Sequence, residues 1–197
     1  WGNNFGGINQ FLWIQPIMVL YGLFHTLFGF GNDLIIRIIF YFPAVILIII
    51  SPIFFARYLG YSNIVQFFAA LLYAFNTYFL LLVDGGQVGV ALAYGVFPLT
   101  FLFLKKFIDK PQIKSFFVGL ITLVSLAVID PRIAGISIFT LIIWVLVEGV
   151  ATKKISVVKN LSFLFFFGIA VVGLIGYFIV PFLFLGGGEV SFNTSRL

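Results

Sequence analysis

Long apolar runs separated by short polar stretches dominate the chain. Six of these runs come near the roughly 20 residues that a helix needs to cross a bilayer. They lie at 34–56, 64–83, 88–104, 115–129, 133–147 and 161–185. Backbone groups in lipid must bond within their own segment, and the runs lack the apolar–polar alternation of barrel strands. The pattern therefore predicts an all-α, polytopic helical membrane protein with about six spanning helices.

The segment at 8–30 has a different pattern from the six runs. It mixes apolar residues with polar ones such as Gln15 and His25, carries Trp13, and is flanked by glycine-rich stretches. Aromatic side chains with scattered polar ones are typical of the membrane interface. We expect an interfacial N-terminal helix here, with a seventh spanning helix as the alternative.

Two features inside the runs predict how the helices pack. Asn76 is expected to hydrogen-bond to a neighbouring helix, because an amide in lipid needs a protein partner. Ala91 and Gly95 are small residues four positions apart, a spacing that lets two helices approach closely. We interpret all three as packing residues rather than as parts of a binding site.

Composition supports the membrane assignment. The chain is 62% hydrophobic and 9% charged, whereas soluble domains are about 25% charged. The absence of cysteine excludes disulfides and thiolate metal sites, and the single histidine excludes the usual His-rich zinc sites. We divide the chain into an outer-loop and interfacial segment at 1–33, a transmembrane helical domain at 34–185 and the start of an outer loop at 186–197.

The basic residues predict the orientation. Eight of the eleven Lys and Arg residues lie in three predicted loops at 57–63, 105–114 and 151–160, which pairs of spans separate. The positive-inside rule makes these loops cytoplasmic in a multi-pass cell-membrane protein. We therefore interpret the net charge of +5 as a signal of topology rather than of nucleic-acid binding, with contact between the lysines and anionic lipid headgroups as the less favoured alternative.

Two polar motifs interrupt the apolar runs on the predicted outer side. One is the stretch DGGQ at 84–87, and the other is the corner DPR at 130–132. In a purely structural interpretation, the two glycines make a tight turn, Asp and Gln cap helix ends, and Pro begins a helix. Because both motifs and the N-terminal stretch WGNNFGG converge on one face, we also expect a binding site there.

The chemistry of these residues suggests their roles. Carboxylates bind hard cations or accept a proton from a hydroxyl nucleophile, and a guanidinium holds phosphate through two hydrogen bonds. The catalytic candidates are Asp84 and Asp130, and the substrate-binding candidates are Gly85, Gly86, Gln87, Arg132 and Arg37. For Arg37, an ion pair with Asp33 four residues earlier is the alternative to a lipid-linked phosphate. No metal ligand is assigned, and a divalent cation stays open as a cofactor.

Three stretches carry a resemblance to a known family. An Asn-Thr-Tyr motif at 76–78 precedes the Gly-containing loop, and a Tyr…Pro-Leu pattern follows it at 94–99. This arrangement resembles the multi-pass GT-C glycosyltransferases. The stretch AVIDPRIA is similar to their arabinofuranosyltransferase-like and YfhO-like branches, also described as 6-pyruvoyl-tetrahydropterin synthase-related membrane proteins. The N-terminal WGNNFGG resembles the end of the family's first outer loop. Together the matches cover about residues 1–135, although Thr77 replaces a common Pro and Gln87 a common His.

The resemblance implies a function. It implies an inverting transfer of a sugar from a polyprenyl-phosphate donor to a glycan, lipid or protein on the outer face of a prokaryotic cell membrane. The donor phosphate would lie near Arg132 or Arg37, and the sugar near the DGGQ loop. The family's catalytic carboxylate usually lies early in the first outer loop. We therefore expect it upstream of Trp1 and interpret the chain as an N-terminal transmembrane fragment.

Two other functions stay open at this stage. A lipid or solute transporter or flippase is the first, and a non-catalytic membrane scaffold is the second. Coupled transporters generally place ionisable residues or broken helices near the membrane midplane. The five later runs contain no charged residue, which counts against ion-coupled transport. A scaffold would not account for polar motifs that converge on one face.

Overall fold

The computed structural model describes residues 14–152, 157–177 and 180, and this part of the chain is helical throughout, with no strand. The helices are α1 (Gln15–Phe28), α2 (Asn32–Ile36), a π-helical turn (Arg37–Tyr41), α3 (Phe42–Tyr58), α4 (Asn63–Ala74), α5 (Thr77–Asp84), α6 (Val88–Asp109), α7 (Ile113–Ile129), α8 (Pro131–Thr152) and α9 (Val157–Leu174). The predicted all-α fold of a helical membrane protein is confirmed. The predicted loop at 186–197 and residues 1–13 lie outside the described residues.

Four helical stretches in the described part are long and apolar enough to cross a membrane, and two of them combine helices that are named separately above. They are Asn32–Tyr58, Asn63–Asp84, Val88–Asp109 and Pro131–Gly149. Each corresponds to one of the six predicted spans. Helix α7 has 17 residues and a length of about 25 Å, slightly less than a hydrocarbon core of about 30 Å. The apolar stretch of α9, Asn160–Leu174, is also shorter than a typical span.

Helix α1 is too short to cross a bilayer in one pass. Its 14 residues extend about 21 Å, and its contacts are with α2 and α7. Met18, Leu23 and Leu27 are exposed on its surface, while Ile17 is buried against the bundle. This length agrees with the interfacial interpretation of the N-terminal segment rather than with a seventh span.

The two ends of the bundle differ in charge. The Tyr58 hydroxyl donates to Asp109, and Lys105 pairs with Glu148, so the C-terminal ends of α3, α6 and α8 lie together. We call this the basic end, because the turns at 59–62 and 110–112 adjoin lysines and arginines. The opposite end, which carries the turn at 85–87 and Asp130, is called the acidic end. That the basic end faces the cytoplasm stays a prediction.

The basic loops are narrower than predicted. The structure has turns at 59–62 and 110–112 where the sequence predicted loops at 57–63 and 105–114. In the third predicted loop, at 151–160, the first residues belong to α8 and the last to α9. The placement of Lys105 in a loop is wrong, because α6 continues to Asp109 and Lys105 is only 4% exposed. The helix continues past the lysine because Asp109 and Glu148 neutralise its charge.

Helix α6 is the centre of the bundle and packs against α3, α5, α7 and α8. The predicted close packing at Ala91 and Gly95 is confirmed. Ala91 is buried, and a Cβ added to Gly95 would lie 3.2 Å from the carbonyl oxygen of Ala44 and 3.2 Å from the Cβ of Leu47. Only glycine leaves room for the backbone of α3 at this crossing.

The predicted span at 64–83 is two helices, α4 and α5, separated by a break at Phe75 and Asn76. The side-chain oxygen of Asn76 accepts from the Phe79 amide at 2.8 Å and begins α5. Its amide nitrogen donates to the Tyr94 hydroxyl on α6. The predicted hydrogen bond from Asn76 to another helix is therefore confirmed, but the same residue also caps a helix within the span.

A proline in α6 accounts for a partly buried tyrosine beside this break. Pro98 has no N–H to donate to the carbonyl of Tyr94, four residues earlier. The Tyr73 hydroxyl donates to that carbonyl at 2.8 Å, and the rings of Tyr73 and Tyr94 stack with centroids 4.3 Å apart. A backbone group left unpaired inside a membrane is costly. The hydrogen bond from Tyr73 replaces the one that Pro98 cannot make and so stabilises α6 around its proline.

Candidate functional site

The DGGQ stretch ends α5 with a Schellman motif. The amide of Gly86 donates to the Val83 carbonyl at 3.2 Å, and the amide of Gln87 donates to the Leu82 carbonyl at 2.8 Å. Gly86 has a φ of 69°, a left-handed conformation that glycine adopts without strain. The interpretation of the two glycines as a turn is therefore confirmed. The expected capping by Gln87 is wrong, because its side chain makes no cap hydrogen bond to α6.

Asp84 has no structural partner in the described part of the chain. Its side chain is exposed and makes no hydrogen bond or ion pair there. It is the last residue of α5, where the negative end of the helix dipole disfavours a carboxylate. Asp84 therefore does not cap a helix, as a purely structural interpretation would require, and it stands available to a ligand.

A groove at the acidic end contains Asp84. It encloses about 210 Å³ between the π-helical turn, α3, α5 and α6. Its walls are apolar, with Val45, Leu80 and Val88 among them, and its polar groups come from Asp84 and Tyr41. We call it the Asp84 groove. Its volume accommodates part of an apolar chain with a polar group at the end.

A second, more open groove of about 690 Å³ adjoins the first. It is lined by Arg37, Tyr41, Phe42, Val45 and Ile46, and we call it the Arg37 groove. Tyr41 and Val45 line both grooves, so Arg37 and Asp84 lie on either side of the same pair of residues. The structure thus brings together two of the residues that the sequence nominated.

The π-helical turn sets the position of Arg37. The amide of Phe42 donates to the Arg37 carbonyl, five residues earlier. Pro43 follows at once, and a proline ring clashes with the carbonyl four residues before it in a regular helix. The wider turn accommodates Pro43 and leaves Arg37 and Tyr41 in the same groove. Turns of this kind occur frequently at functional sites.

Arg37 is exposed and makes no ion pair among the described residues, so the expected pair with Asp33 is absent. It lies five residues inside the helix that begins at Asn32, about 7.5 Å along the axis. A guanidinium at that depth is costly unless it reaches water, a carboxylate or a lipid phosphate. The guanidinium is therefore free to bind water or an anionic group.

Asp130 and Arg132 bind each other. The Asp130 carboxylate accepts from the Arg132 amide at 2.9 Å, from its Nε at 3.1 Å and from its Nη2 at 2.7 Å. It also accepts from the Ile133 amide at 3.4 Å, which makes it the cap of α8 ahead of Pro131. The expected helix start at this corner is confirmed. Asp130 accepts four hydrogen bonds inside the corner, whereas Arg132 uses two of its five side-chain N–H donors there.

The charge state of Asp130 follows from these contacts. Burial of the side chain raises its pKa, but the hydrogen bonds and the charge of Arg132 outweigh burial and lower the pKa below its ordinary value. A carboxylate with a lowered pKa is a weak base. Of the two candidates, Asp84 is therefore the carboxylate that is available to a ligand, because Asp130 is engaged by Arg132 and the start of α8.

We expect Asp130→Ala to lower the free energy of unfolding by about 0.5–2 kcal/mol at neutral pH, because it removes the cap of α8 and the partner of Arg132. The folded pKa is lower than the unfolded one, so this contribution is fully present above the unfolded pKa and is lost as pH falls through the folded pKa. Thermal unfolding of both proteins in detergent should show the difference shrinking in acid. A constant difference would mean that the carboxylate charge contributes nothing.

Sequence reasoning missed two groups of residues. Tyr41 was overlooked, although it lies four positions after Arg37 and therefore on the same helical face. The cluster of Lys105, Asp109 and Glu148 was also missed, although the spacing of Lys105 and Asp109 is that of a helical ion pair.

Comparison of the chain with family models, curated proteins and solved structures finds no match. The site is interpreted from its own residues.

Proposed function

We propose that the chain forms the transmembrane part of a GT-C-type glycosyltransferase, which transfers a sugar from a polyprenyl-phosphate donor to a glycan, lipid or protein acceptor at the outer face of a prokaryotic cell membrane. One observation carries the proposal. Arg37 and Asp84, each without a partner in the described part of the chain, line adjoining grooves that share Tyr41 and Val45.

The grooves match the chemistry of such a donor. A polyprenyl phosphate combines a long apolar chain with a compact anion. Phe42, Val45 and Ile46 offer an apolar surface to the chain, and Arg37 offers the guanidinium that binds phosphate through two parallel hydrogen bonds. The apolar residues and Arg37 belong to one continuous helix, so the distance between the apolar surface and the guanidinium is fixed. The donor would lie along this helix with its phosphate towards the acidic end.

In this proposal Asp84 would act at the sugar end of the donor. It lines the smaller groove, which shares Tyr41 and Val45 with the Arg37 groove. A free carboxylate there would accept a proton from an acceptor hydroxyl, or would help to hold a divalent cation that offsets the charge of the phosphate. Gly85 and Gly86 keep the backbone of the turn free of side chains, so a sugar can approach it closely.

Binding of the donor phosphate tests this assignment. We expect Arg37→Gln to weaken polyprenyl-phosphate binding by about ten- to a hundredfold, since a charge-assisted hydrogen bond contributes roughly 1.5–3 kcal/mol. The measurement is a binding titration in nanodiscs that contain wild-type or variant protein. Arg132→Gln is the matched control, because Asp130 already holds the guanidinium of Arg132. Equal affinities for folded wild type and Arg37→Gln, or a loss confined to Arg132→Gln, would exclude the Arg37 groove as the phosphate site.

A transporter or flippase is the second candidate, and the break between α4 and α5 favours it. Transporters often use broken membrane helices at their substrate sites, and here Phe75 and Asn76 interrupt a helix that would otherwise be continuous. Reconstituted vesicles separate the two functions. A glycosyltransferase consumes the sugar-linked donor only when an acceptor is present, whereas a flippase moves a fluorescent polyprenyl phosphate between leaflets without acceptor.

A further inference from the structure

A cluster of charged and aromatic side chains lies at the basic end of the bundle, far from both grooves. Lys105 of α6 is buried, and its ammonium pairs with Asp109 on the same helix and with Glu148 of α8 at 3.1 Å. The Trp144 indole donates to Glu148 at 2.8 Å, and the Tyr58 hydroxyl of α3 donates to Asp109. One network therefore joins α3, α6 and α8.

Aromatic rings continue the cluster into the bundle. Phe55 and Phe101 meet edge to face with centroids 5.3 Å apart, and Phe101 meets Trp144 in the same way at 5.6 Å. The ammonium of Lys105 lies 5.8 Å from the centroid of the Trp144 ring. The ion network is thus backed by a layer of aromatic side chains from the same three helices.

The acidic and basic ends of the same helices are built differently. At the acidic end the π-helical turn, α3, α5 and α6 separate around the Asp84 groove. At the basic end the hydrogen bond from Tyr58 to Asp109 joins α3 to α6, and the ion pair of Lys105 with Glu148 joins α8 to α6. Stability alone does not require ions here, because well-packed apolar residues often stabilise a buried site as well as an ion pair does. An ion network differs from apolar packing in that removal of one charge opens it to water.

We propose that Tyr58, Lys105, Asp109, Trp144 and Glu148 form a latch that closes the basic end of the bundle to water, so that ligands enter only from the acidic end. The latch joins α3 and α8 to α6, the helix that also forms a wall of the Asp84 groove. It needs no bound ligand, and it stands whether or not the protein transfers sugars.

A buried reporter on α6 tests the latch. Thr100 is fully buried and lies five residues before Lys105 on α6, about 7.5 Å further into the bundle. The sequence contains no cysteine. Thr100→Cys is exposed to a membrane-impermeant thiol reagent in sealed vesicles of either orientation. With the latch intact we expect negligible labelling from both sides. Adding Lys105→Met removes the ammonium that pairs with both Asp109 and Glu148. Labelling from the side that the basic end faces should then rise about tenfold or more, equivalent to ~1.4 kcal/mol lost from the closed state.

Two further variants make the result decisive. Lys110→Met is the matched control, because Lys110 is exposed immediately after α6 and its side chain forms no ion pair among the described residues. We expect it to leave Thr100→Cys unlabelled. Glu148→Gln is milder than Lys105→Met, since Lys105 keeps Asp109, and we expect a smaller rise of about threefold.

The latch is wrong if folded Lys105→Met and Glu148→Gln both leave the reporter unlabelled. It is also wrong if Lys110→Met increases labelling as much as they do, because that would indicate general loosening of the helix ends. Size-exclusion chromatography and circular dichroism establish folding. If Lys105→Met does not fold, Glu148→Gln decides the question alone.

Discussion

Gly95→Ala is expected to destabilise the bundle by about 1–3 kcal/mol, the range found for overpacked cores. The added Cβ would lie 3.2 Å from the Ala44 carbonyl oxygen and 3.3 Å from the Ile48 amide nitrogen. These are backbone atoms, which cannot rotate away as a flexible side chain can. Relief requires α3 to move off α6, at the most extensive helix contact in the described part of the chain. Thermal unfolding in detergent measures the effect.

Gly135→Ala supplies the matched control. This glycine is exposed within α8, and a Cβ added to it would have no heavy atom within 4 Å. Alanine stabilises a helix interior by about 0.5–1 kcal/mol relative to glycine, so Gly135→Ala should be neutral or stabilising. The same chemical change should therefore have opposite signs at the two positions. A neutral or stabilising effect at both positions would show that helix packing at Gly95 is looser than the structure indicates.

The apolar runs predicted the fold because lipid simplifies the problem. Every spanning segment must satisfy its own backbone, so a run of suitable length is a helix whatever its details. Because these runs are apolar throughout, the sequence did not show where a helix departs from regular α-helical geometry. A run such as 34–56 carries no periodic signal that distinguishes an α-helical from a π-helical turn, and the turn at Arg37–Tyr41 reflects the local demands of Pro43.

Lys105 shows where single-sequence interpretation fails. A lysine at the end of an apolar run normally marks the start of a loop, and the positive-inside rule counts it there. Its environment depends on Glu148, 43 residues later on another helix. No local pattern contains that pairing, because it arises only when α6 and α8 pack together. Both predicted boundaries of the loop at 105–114 were misplaced: Lys105 through Asp109 belong to α6, and α7 begins at Ile113.

The candidate site was only partly visible in the sequence. The glycines of the DGGQ stretch predicted the turn, and Arg37 and Asp84 were nominated by their charges. The sequence could not rank Asp84 above Asp130, because the difference lies in their contacts: Asp130 accepts four hydrogen bonds, and Asp84 accepts none among the described residues. Tyr41 becomes part of the site only through the separation of α3, α5 and α6.

Asp84→Asn is expected to reduce sugar transfer by about 10²–10⁴-fold, the usual contribution of a positioned acid or base. Stability should stay the same or rise by a few tenths of a kcal/mol, because the substitution removes a negative charge from the C-terminal end of α5. The measurement is transfer of sugar from a polyprenyl-phosphate donor by membranes that contain the full-length protein, alongside thermal unfolding. Asp33→Asn is the matched control, since Asp33 is also an exposed carboxylate at the acidic end but lines neither groove. It should keep the wild-type rate.

Two further comparisons separate the roles of this stretch. Gly86→Ala places a side chain at a φ of 69°, which costs about 1–2 kcal/mol, so it should lower stability and transfer together. Excess divalent cation should partly restore Asp84→Asn if the carboxylate holds a cation, and should not restore it if the carboxylate accepts a proton. If Asp84→Asn and Gln87→Ala both keep wild-type transfer rates, the DGGQ stretch serves only as the turn between α5 and α6. The reactive carboxylate must then be sought outside it, because Asp130 is already committed to Arg132 and to the start of α8.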